Sequence, residues 1–162
     1  MTEDISFACM SSAGAGASAV WPVANTAYFV PIRIDQARTY QRAWWLNGAT
    51  AAGNVDVGIY TISGTTATRV VASTAAAQAG LSVMQVATTF TTTTIGPGLY
   101  YLAMSCSLAT ATVWRSNPSF VMLRASGLYQ AATAHPLPAT ATVVAHAASF
   151  VPVFGFSELA TI

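Results

Sequence analysis

The sequence contains no lysine and few charges of either sign. Six arginines and five acidic residues are its only formally charged side chains, so charge accounts for 7% of the 162 residues. Soluble domains ordinarily carry about 25% charged residues. Thr, Ser, Ala, Gln, Asn and Gly must therefore cover the surface. Such a surface has no ammonium groups to strip of water, which favours a protein that works against neighbours, with a neutral monomer as the alternative.

The charge distribution and the hydrophobic runs also exclude several partners. The formal net charge is +1, and no basic run or basic amphipathic helix is present, so we expect neither nucleic acid nor a membrane surface as partner. No apolar stretch approaches the about 18 residues of a membrane span. Glu3 and Asp4 stand where a secretion signal needs positive charge. We therefore expect assembly in a cytoplasm.

Cysteine and histidine are too scarce to define a metal centre or a disulfide framework. Cys9 and Cys106 are the only cysteines, and reduced thiols are the default in a cytosol, although the sequence leaves a bond between them open. His135 and His146 are the only histidines and lack the spacing of a zinc site. We expect no metal and no cofactor.

No motif for nucleophilic, nucleotide-dependent or metal-dependent catalysis is present. The acidic residues are Glu3, Asp4, Asp35, Asp56 and Glu158. Glycoside hydrolysis would require two of them to converge to about 5 to 9.5 Å. Asp35 and Asp56 are predicted at strand ends or on outward faces, so we assign them surface or structural roles. The sequence therefore predicts a protein that is not an enzyme and has no catalytic residues.

Alternation of apolar residues predicts β-strands along most of the chain. One face of residues 26–34 carries Tyr28, Val30, Ile32 and Ile34. Pro31 in the same run indicates an edge or a bulge. The pattern in "GNVDVGIYTISGTTATRVV" (53–71) predicts a hairpin. Its first strand points Val55, Val57 and Ile59 inward, and Asn54, Asp56, Gly58 and Tyr60 outward.

Short strands at spacings of 8 to 12 residues predict an all-β fold, specifically an antiparallel β-sandwich of the jelly-roll kind. We divide the chain into an N-terminal arm (1–25), which includes "SSAGAGASA", and a single β-sandwich domain (26–162) with extended C-terminal strands. Pro136, Pro138 and Pro152 interrupt the C-terminal runs. The strands there are therefore predicted to be edge strands or extended clamps.

Tryptophan and arginine supply the candidate binding residues. The alternation predicts that Trp44 is a core residue and that Trp45 points outward. Trp21, Trp45 and Trp114 are candidates either for interface anchors or for platforms that stack on a sugar ring. Arg33, Arg38 and Arg42 lie within ten residues with only Asp35 as a nearby acid. Their planar guanidinium groups suit a partner's carboxylates or carbonyls, while a solvated sheet edge is the alternative.

Several segments together resemble the small jelly-roll-like modules of tailed-bacteriophage virion proteins. They are "GNVDVGIYTISGTTATRVV", "IGPGLYYLAMS", "ATAHPLPATATVV" and "VPVFGFSEL", within residues 26–162. This resemblance implies a capsid-surface decoration or auxiliary subunit that binds capsid proteins and its own copies, most simply as a homotrimer in the virion. It also leaves a tail or fibre module that binds host carbohydrate as the alternative. "SSAGAGASA" matches no motif of the family.

Overall fold

The computed structural model describes residues 16–116 and 125–159 of the chain. Sixteen β-strands lie in these ranges, and no helix lies within residues 16–116. The strands are β1 (Ala17–Val20), β2 (Ala27–Ile34), β3 (Arg38–Tyr40), β4 (Arg42–Leu46), β5 (Asn54–Ser63), β6 (Thr66–Ala72), β7 (Ala76–Ala77), β8 (Met84–Val86), β9 (Thr93–Ile95), β10 (Gly98–Cys106), β11 (Thr112–Ser116), β12 (Tyr129–Ala131), β13 (Thr140–Thr142), β14 (Val144–Ala145), β15 (Val151–Pro152) and β16 (Phe154–Ser157). All their pairings are antiparallel. The predicted all-β antiparallel class is confirmed. The described ranges contain no helix long and apolar enough to cross a membrane.

One large sheet organises the fold. Its strand order is β13-β6-β5-β10-β2-β12-β14, and β7 also pairs with β5. The smaller sheets have the orders β1-β11-β15, β16-β4-β8 and β3-β9. The two longest strands, β5 and β10, pair with each other in the middle of the large sheet. The other strands of this sheet therefore lie on either side of this central pair.

The large sheet curves until its two edge strands almost meet. β13 lies at one edge and β14 at the other, yet only Val143 separates them in the sequence. Because one residue spans at most about 3.6 Å, these two edges must approach each other. A bulge contributes to the curvature, because the register of β5 and β6 shifts at Ile59 and Tyr60 and leaves Val70 without an opposite residue.

The first face of the large sheet is covered by the smaller sheets, and the larger core lies between them. The large sheet contributes nine residues to this core: Tyr28, Val30, Ile34, Val55, Val57, Ile59, Leu102, Met104 and Cys106. Residues that cover this face include Trp21, Tyr40, Ala43, Trp45, Val113, Phe150, Phe154 and Phe156. The predicted inward faces of β2 and β5 are confirmed.

The second face is buried as well. Residues 132–139, which form no strand, run across it, and we call them the crossing segment. The smaller core there consists of Ala27, Phe29, Tyr60, Ala67, Tyr101, Ala103, Ala131, Ala134, Leu137 and Val143. The prediction that Asp56 and Tyr60 face outward is therefore wrong, because this segment covers both of them. Gly58 also lies on this face, and a Cβ there would be 2.9 Å from the Val71 carbonyl oxygen and 3.1 Å from Leu137. Only glycine permits this close approach.

The hairpin of β5 and β6 is confirmed. Gly64 and Thr65 connect the two strands, and Gly64 has a φ of 58°, which a residue without Cβ adopts at little cost. Pro31 lies where β12 no longer runs beside β2, because β12 pairs only with Ala27, Tyr28 and Phe29. β2 is thus a central strand at its start and a local edge at Pro31, as the missing amide hydrogen predicts.

Of the two adjacent tryptophans, Trp44 is buried as predicted, but the prediction that Trp45 points outward is wrong. Trp45 is fully buried in the larger core, whereas Trp44 lies on the other side of β4 and is mostly covered. Gln41 explains the inversion, because it separates β3 from β4 and places Tyr40 and Ala43 in the same core. This irregularity exchanges the two faces in β4 relative to uninterrupted alternation.

The ends of the described chain belong to the fold. The predicted arm (1–25) is described only from Gly16 onward. In that part β1 pairs with β11, and Trp21 lies in the larger core. At the C-terminal side, β13, β14, β15 and β16 each end the strand order of a sheet. The prediction of C-terminal edge strands is confirmed.

Candidate interaction surface

The predicted binding tryptophans have different environments. Trp21 and Trp45 are fully buried, and their indole nitrogens donate to the Thr26 carbonyl oxygen at 3.2 Å and to Asn47 Oδ1 at 2.8 Å. Neither is an exposed platform, which corrects the prediction for both. Trp114 is half-buried on β11 beside Gly16. It is the one tryptophan of the four that keeps partial exposure.

The three candidate arginines gather with two acids at one end of the molecule. Arg33 Nε lies 2.9 Å from Asp35 Oδ1 just beyond the end of β2, and both side chains are more than three-quarters exposed. Arg38 Nη1 lies 3.3 Å from Glu158 Oε1 in a more covered position. Arg42 begins β4 opposite Ser157. We call these five residues the charged end.

A pocket opens beside the charged end. It has a volume of about 450 Å³ and is lined by Arg33, Ile34, Asp35, Pro97, Gly98 and Leu99. The guanidinium and the carboxylate in its wall already form an ion pair with each other. The pocket therefore offers a ligand little unsatisfied charge.

Among the residues that the structure describes, the opposite end contains no charged residue. Four loops meet there, at residues 21–26, 47–53, 78–83 and 107–111, and we call them the uncharged end. Main-chain hydrogen bonds link them in pairs: Trp21 N donates to Ala111 O at 2.8 Å, Asn47 N to Val83 O at 2.9 Å, and Gln78 N to Gly53 O at 3.0 Å. These bonds hold the loops as one surface.

Large aliphatic side chains protrude from the uncharged end and from the strand ends next to it. They are Val20, Val23, Leu81, Val83, Met84 and Leu108, each between 40% and 61% exposed. The other large apolar side chains that are exposed in the described ranges lie elsewhere, at Val70, Leu99 and Val144. Apolar groups concentrated on a surface without charge are typical of a binding surface. Sequence reasoning missed these residues, although the absence of any charge in residues 70–114 was a signal.

Hydroxyl groups cover part of the remaining surface. Three neighbouring strands of the large sheet place exposed Thr or Ser residues opposite one another in two rows, Ser63, Thr66 and Thr142 in one and Thr61, Thr68 and Thr140 in the other. Such residues hydrate the outer surface without charge. They explain how a chain with so few ionic groups keeps a polar exterior.

The two acids considered for catalysis do not converge. Ile34, next to Asp35, pairs with Gly98, whereas Asp56 pairs with Ser105 on the same strand β10. Seven residues of an extended strand separate those positions, which corresponds to about 23 Å. This distance exceeds the separation of a glycosidase pair. Asp35 is a surface residue, as predicted.

Asp56 is buried and holds the crossing segment, so of the two predicted roles, surface or structural, it has the structural one. Its Oδ1 accepts from Ser73 Oγ at 2.8 Å, and its Oδ2 accepts from the Leu137 amide at 2.9 Å. Burial raises the pKa of its carboxyl, although these hydrogen bonds and Arg69 act in the opposite direction. Both carboxylate oxygens of Asp56 accept hydrogen bonds within the fold, so this side chain has a structural role.

Other polar residues anchor the same segment. Tyr60 donates its hydroxyl to Pro138 O at 2.6 Å, and Arg69 Nη1 donates to Leu137 O at 2.6 Å. Ser105 Oγ lies 3.0 Å from His135 Nδ1. Ser105 is fully buried, and Asp56 hydrogen-bonds to Ser73 and Leu137 rather than to the imidazole. The serine, histidine and aspartate therefore do not form the relay that nucleophilic catalysis requires.

The two histidines are separate, and both are covered. His146 is fully buried and donates Nε2–H to Phe150 O at 2.9 Å. Burial lowers the pKa of both His135 and His146. In the part of the chain that the structure describes, no group of three or more His, Cys, Asp or Glu could hold a metal ion. Cys106 is buried with a free thiol, while Cys9 lies outside the described residues.

Comparisons with protein-family models, with curated proteins and with solved structures find no match for this chain.

Proposed function

We propose that the protein is a non-enzymatic structural subunit that binds its own copies and other proteins through the uncharged end. The more specific form of this proposal is a bacteriophage virion protein, a capsid-surface decoration or auxiliary subunit assembled in the host cytoplasm. The observation that carries it is that five charged residues gather at one end, whereas six of the nine exposed large apolar side chains of the described residues lie at or next to the other.

The energetics of the uncharged end support this role. Burying apolar surface is favourable by roughly 25 cal/mol per Å². No ion at this end would have to lose its water shell in a contact. The centres of protein interfaces are likewise depleted in charge. A partner with an equally uncharged surface fits this end best, and another copy of the chain has such a surface.

A β-sandwich of the jelly-roll kind remains our proposal for the architecture. Smaller sheets that lie over one face of a large sheet, with a common core between them, support it. The strong curvature of the large sheet is the feature that a flat two-layer sandwich lacks. The homotrimer implied by the family resemblance is a prediction that the copy number in solution tests.

The first experiment measures the solution mass of the full chain by sedimentation over a range of concentrations. Leu81→Glu introduces a charge at the uncharged end, and Leu99→Glu introduces the same charge at the other end. Both side chains are about three-fifths exposed, so neither change should unfold the protein. We expect Leu81→Glu to weaken self-association at least tenfold, about 1.4 kcal/mol, and Leu99→Glu to leave it unchanged. A monomeric wild type, or equal effects of the two variants, would contradict the proposal.

The virion role needs a test of its own. An antibody raised against the purified chain should label purified phage particles from the culture that produces the protein, as seen by electron microscopy. Protein found only in the particle-free supernatant would refute a role in the virion. That result would leave a self-associating structural subunit possible.

The carbohydrate-binding alternative now depends on Trp114. This half-buried ring is the remaining candidate platform, since Trp21 and Trp45 are buried. Trp114→Ala should abolish the binding of host polysaccharide if the ring stacks on sugar. If the wild type shows no change in tryptophan fluorescence with that polysaccharide, the alternative fails.

A further inference from the structure

Within residues 16–116 and 125–159, β1 pairs only with β11, and the main-chain groups of its other edge have no strand partner there. In antiparallel pairs, hydrogen-bonded and non-hydrogen-bonded positions alternate. Trp21 N donates to Ala111 O at 2.8 Å, so Ala19 and Ala17 are also positions whose main-chain groups face β11. The amide and carbonyl groups of Ser18 and Val20 must therefore face away from β11. No described residue forms a main-chain hydrogen bond with them on that side.

The described part of the chain gives β1 none of the usual protections of an edge strand. Natural edges are blunted by charges, proline, bulges or covering segments. Residues 17–20 are Ala, Ser, Ala and Val, and their register with β11 is regular. By contrast, the edge strand β8 is covered through Gln85, which donates to Ala77 O at 2.7 Å and accepts from Ala79 N at 2.8 Å. An unprotected edge such as β1 is a template for another strand.

The open edge is complementary to itself. If a second β1 lies antiparallel to the first with Ala19 opposite Ala19, then Ser18 of each copy faces Val20 of the other. These are the residues whose main-chain groups point outward, so the two strands exchange four hydrogen bonds. Ala19 occupies the two-fold axis as a non-hydrogen-bonded pair, where side chains approach closely and small ones fit.

The charges and apolar groups around β1 also favour a second copy. No charged residue occurs in residues 16–32, so two identical edges meet without like-charge repulsion. Arg115, the β11 residue that pairs with Ala17, is directed to the other side of β11, where Nη1 donates to Ser149 O at 3.2 Å and the guanidinium lies over Phe150. Val20 and Val23 are exposed beside the edge and would be partly buried by the second copy.

We propose that two copies of the chain associate through β1 about a two-fold axis. The order of the joined sheet is β15-β11-β1, followed by β1-β11-β15 of the second copy. This inference rests on the proposed function, because it specifies how copies of the chain bind each other, at the strand that leads directly into loop 21–26 of the uncharged end. It differs from the trimer of the family resemblance, since a strand pair of this kind relates two copies only.

Proline at position 20 tests the pairing. Val20→Pro removes an amide hydrogen that faces outward, so the ladder with β11 loses no hydrogen bond, and edge strands accept such a proline. Val20→Thr is the matched control because it keeps the amide and the β-branched shape. Far-UV circular dichroism checks the fold, and sedimentation gives the mass. We expect dimers for wild type and Val20→Thr, and at least a tenfold higher dissociation constant for Val20→Pro.

A crosslink provides a second test that does not depend on proline being tolerated. In a Cys9→Ser background, Ala19→Cys places two thiols at the axis, where the Cα atoms of such a pair are about 4.5 Å apart and within disulfide range. We expect a reducible dimer under mild oxidation. Ala17→Cys is the control, because it faces Trp21 of the second copy and should not crosslink.

The outcomes separate the two proposals. A trimer, or a folded Val20→Pro variant that associates as tightly as wild type, would overturn the β1 pairing while leaving self-association in place. Absence of the Ala19→Cys crosslink in a dimeric sample would overturn it as well. A monomeric wild type would overturn both the pairing and self-association as the function.

Discussion

The two faces of the large sheet are both buried, yet different interactions hold what covers them. On the first face, the covering residues pack on the sheet through apolar and aromatic contacts, as Trp21 does with Tyr28 and Phe150, whose ring centroids lie 5.1 and 5.4 Å from that of Trp21. On the second face, Asp56, Tyr60 and Arg69 fasten a crossing segment through hydrogen bonds to its main chain. A stretch without regular strand structure can thus be fixed against a sheet where side chains satisfy its main-chain groups.

The largest expected effect is on the first face. Trp45→Ala removes a fully buried indole from the larger core and leaves Asn47 Oδ1 without its 2.8 Å donor. We expect a loss of about 3 to 5 kcal/mol in the free energy of unfolding, as for other buried aromatic residues. Urea unfolding followed by circular dichroism measures it. Trp114→Ala is the control and should cost clearly less; equal losses would contradict the assignment of Trp45 to the core.

The next effect is on the second face. Leu137→Ala removes the side chain through which the crossing segment packs against Gly58. We expect it to lower the free energy of unfolding by about 2 to 4 kcal/mol. Amide hydrogen exchange provides the specific readout. Protection should fall in residues 132–139 more than in the strands of the smaller sheets. A uniform loss of protection would show that the two faces are not independently stabilised.

A smaller effect isolates one hydrogen bond. Tyr60→Phe removes the hydroxyl that donates to Pro138 O at 2.6 Å and keeps the ring in the smaller core. We expect a loss of about 1 kcal/mol in the free energy of unfolding. Tyr100→Phe, on the half-buried edge of the larger core, is the matched control. If both variants lose the same stability, the anchor on Pro138 contributes nothing specific.

The smallest effect is a change in pH dependence. Because burial raises the pKa of Asp56, the folded state binds that proton more tightly than the unfolded state does. The contribution of the Asp56 carboxyl to the free energy of unfolding is fully present below its ordinary pKa of 3.8. It is lost as the pH rises through the raised pKa of the folded state. Asp56→Asn keeps an acceptor for Leu137 N. We therefore expect its stability relative to wild type to increase from pH 4 to pH 7.

Urea unfolding at several pH values measures this difference. His135 and His146 are common to both proteins, and their lowered pKa values reduce stability as the pH falls below about 6.5 in each. The comparison of the two proteins therefore isolates Asp56. A constant difference between them over this range would contradict a raised pKa.

The sequence alone predicted much of the local structure. Alternation and turn residues identified the β5–β6 hairpin and the inward residues Val55, Val57 and Ile59, since a period of two follows from strand geometry. Prolines near the C-terminus indicated edge strands. The scarcity of charge indicated a surface suited to contacts, although the residues of the uncharged end come from four loops that are distant in sequence.

What the sequence by itself determined is the antiparallel all-β class, the hairpin and an exterior almost free of ions, because these follow from neighbouring residues and composition. Only the tertiary structure decided that Asp56 and Tyr60 are buried, because a segment some 80 residues later covers them. It also decided that Trp45 faces the core, through the irregularity at Gln41, and that β1 keeps an open edge. Each of these features depends on which distant segment packs against the residues concerned, and local sequence patterns do not contain that information.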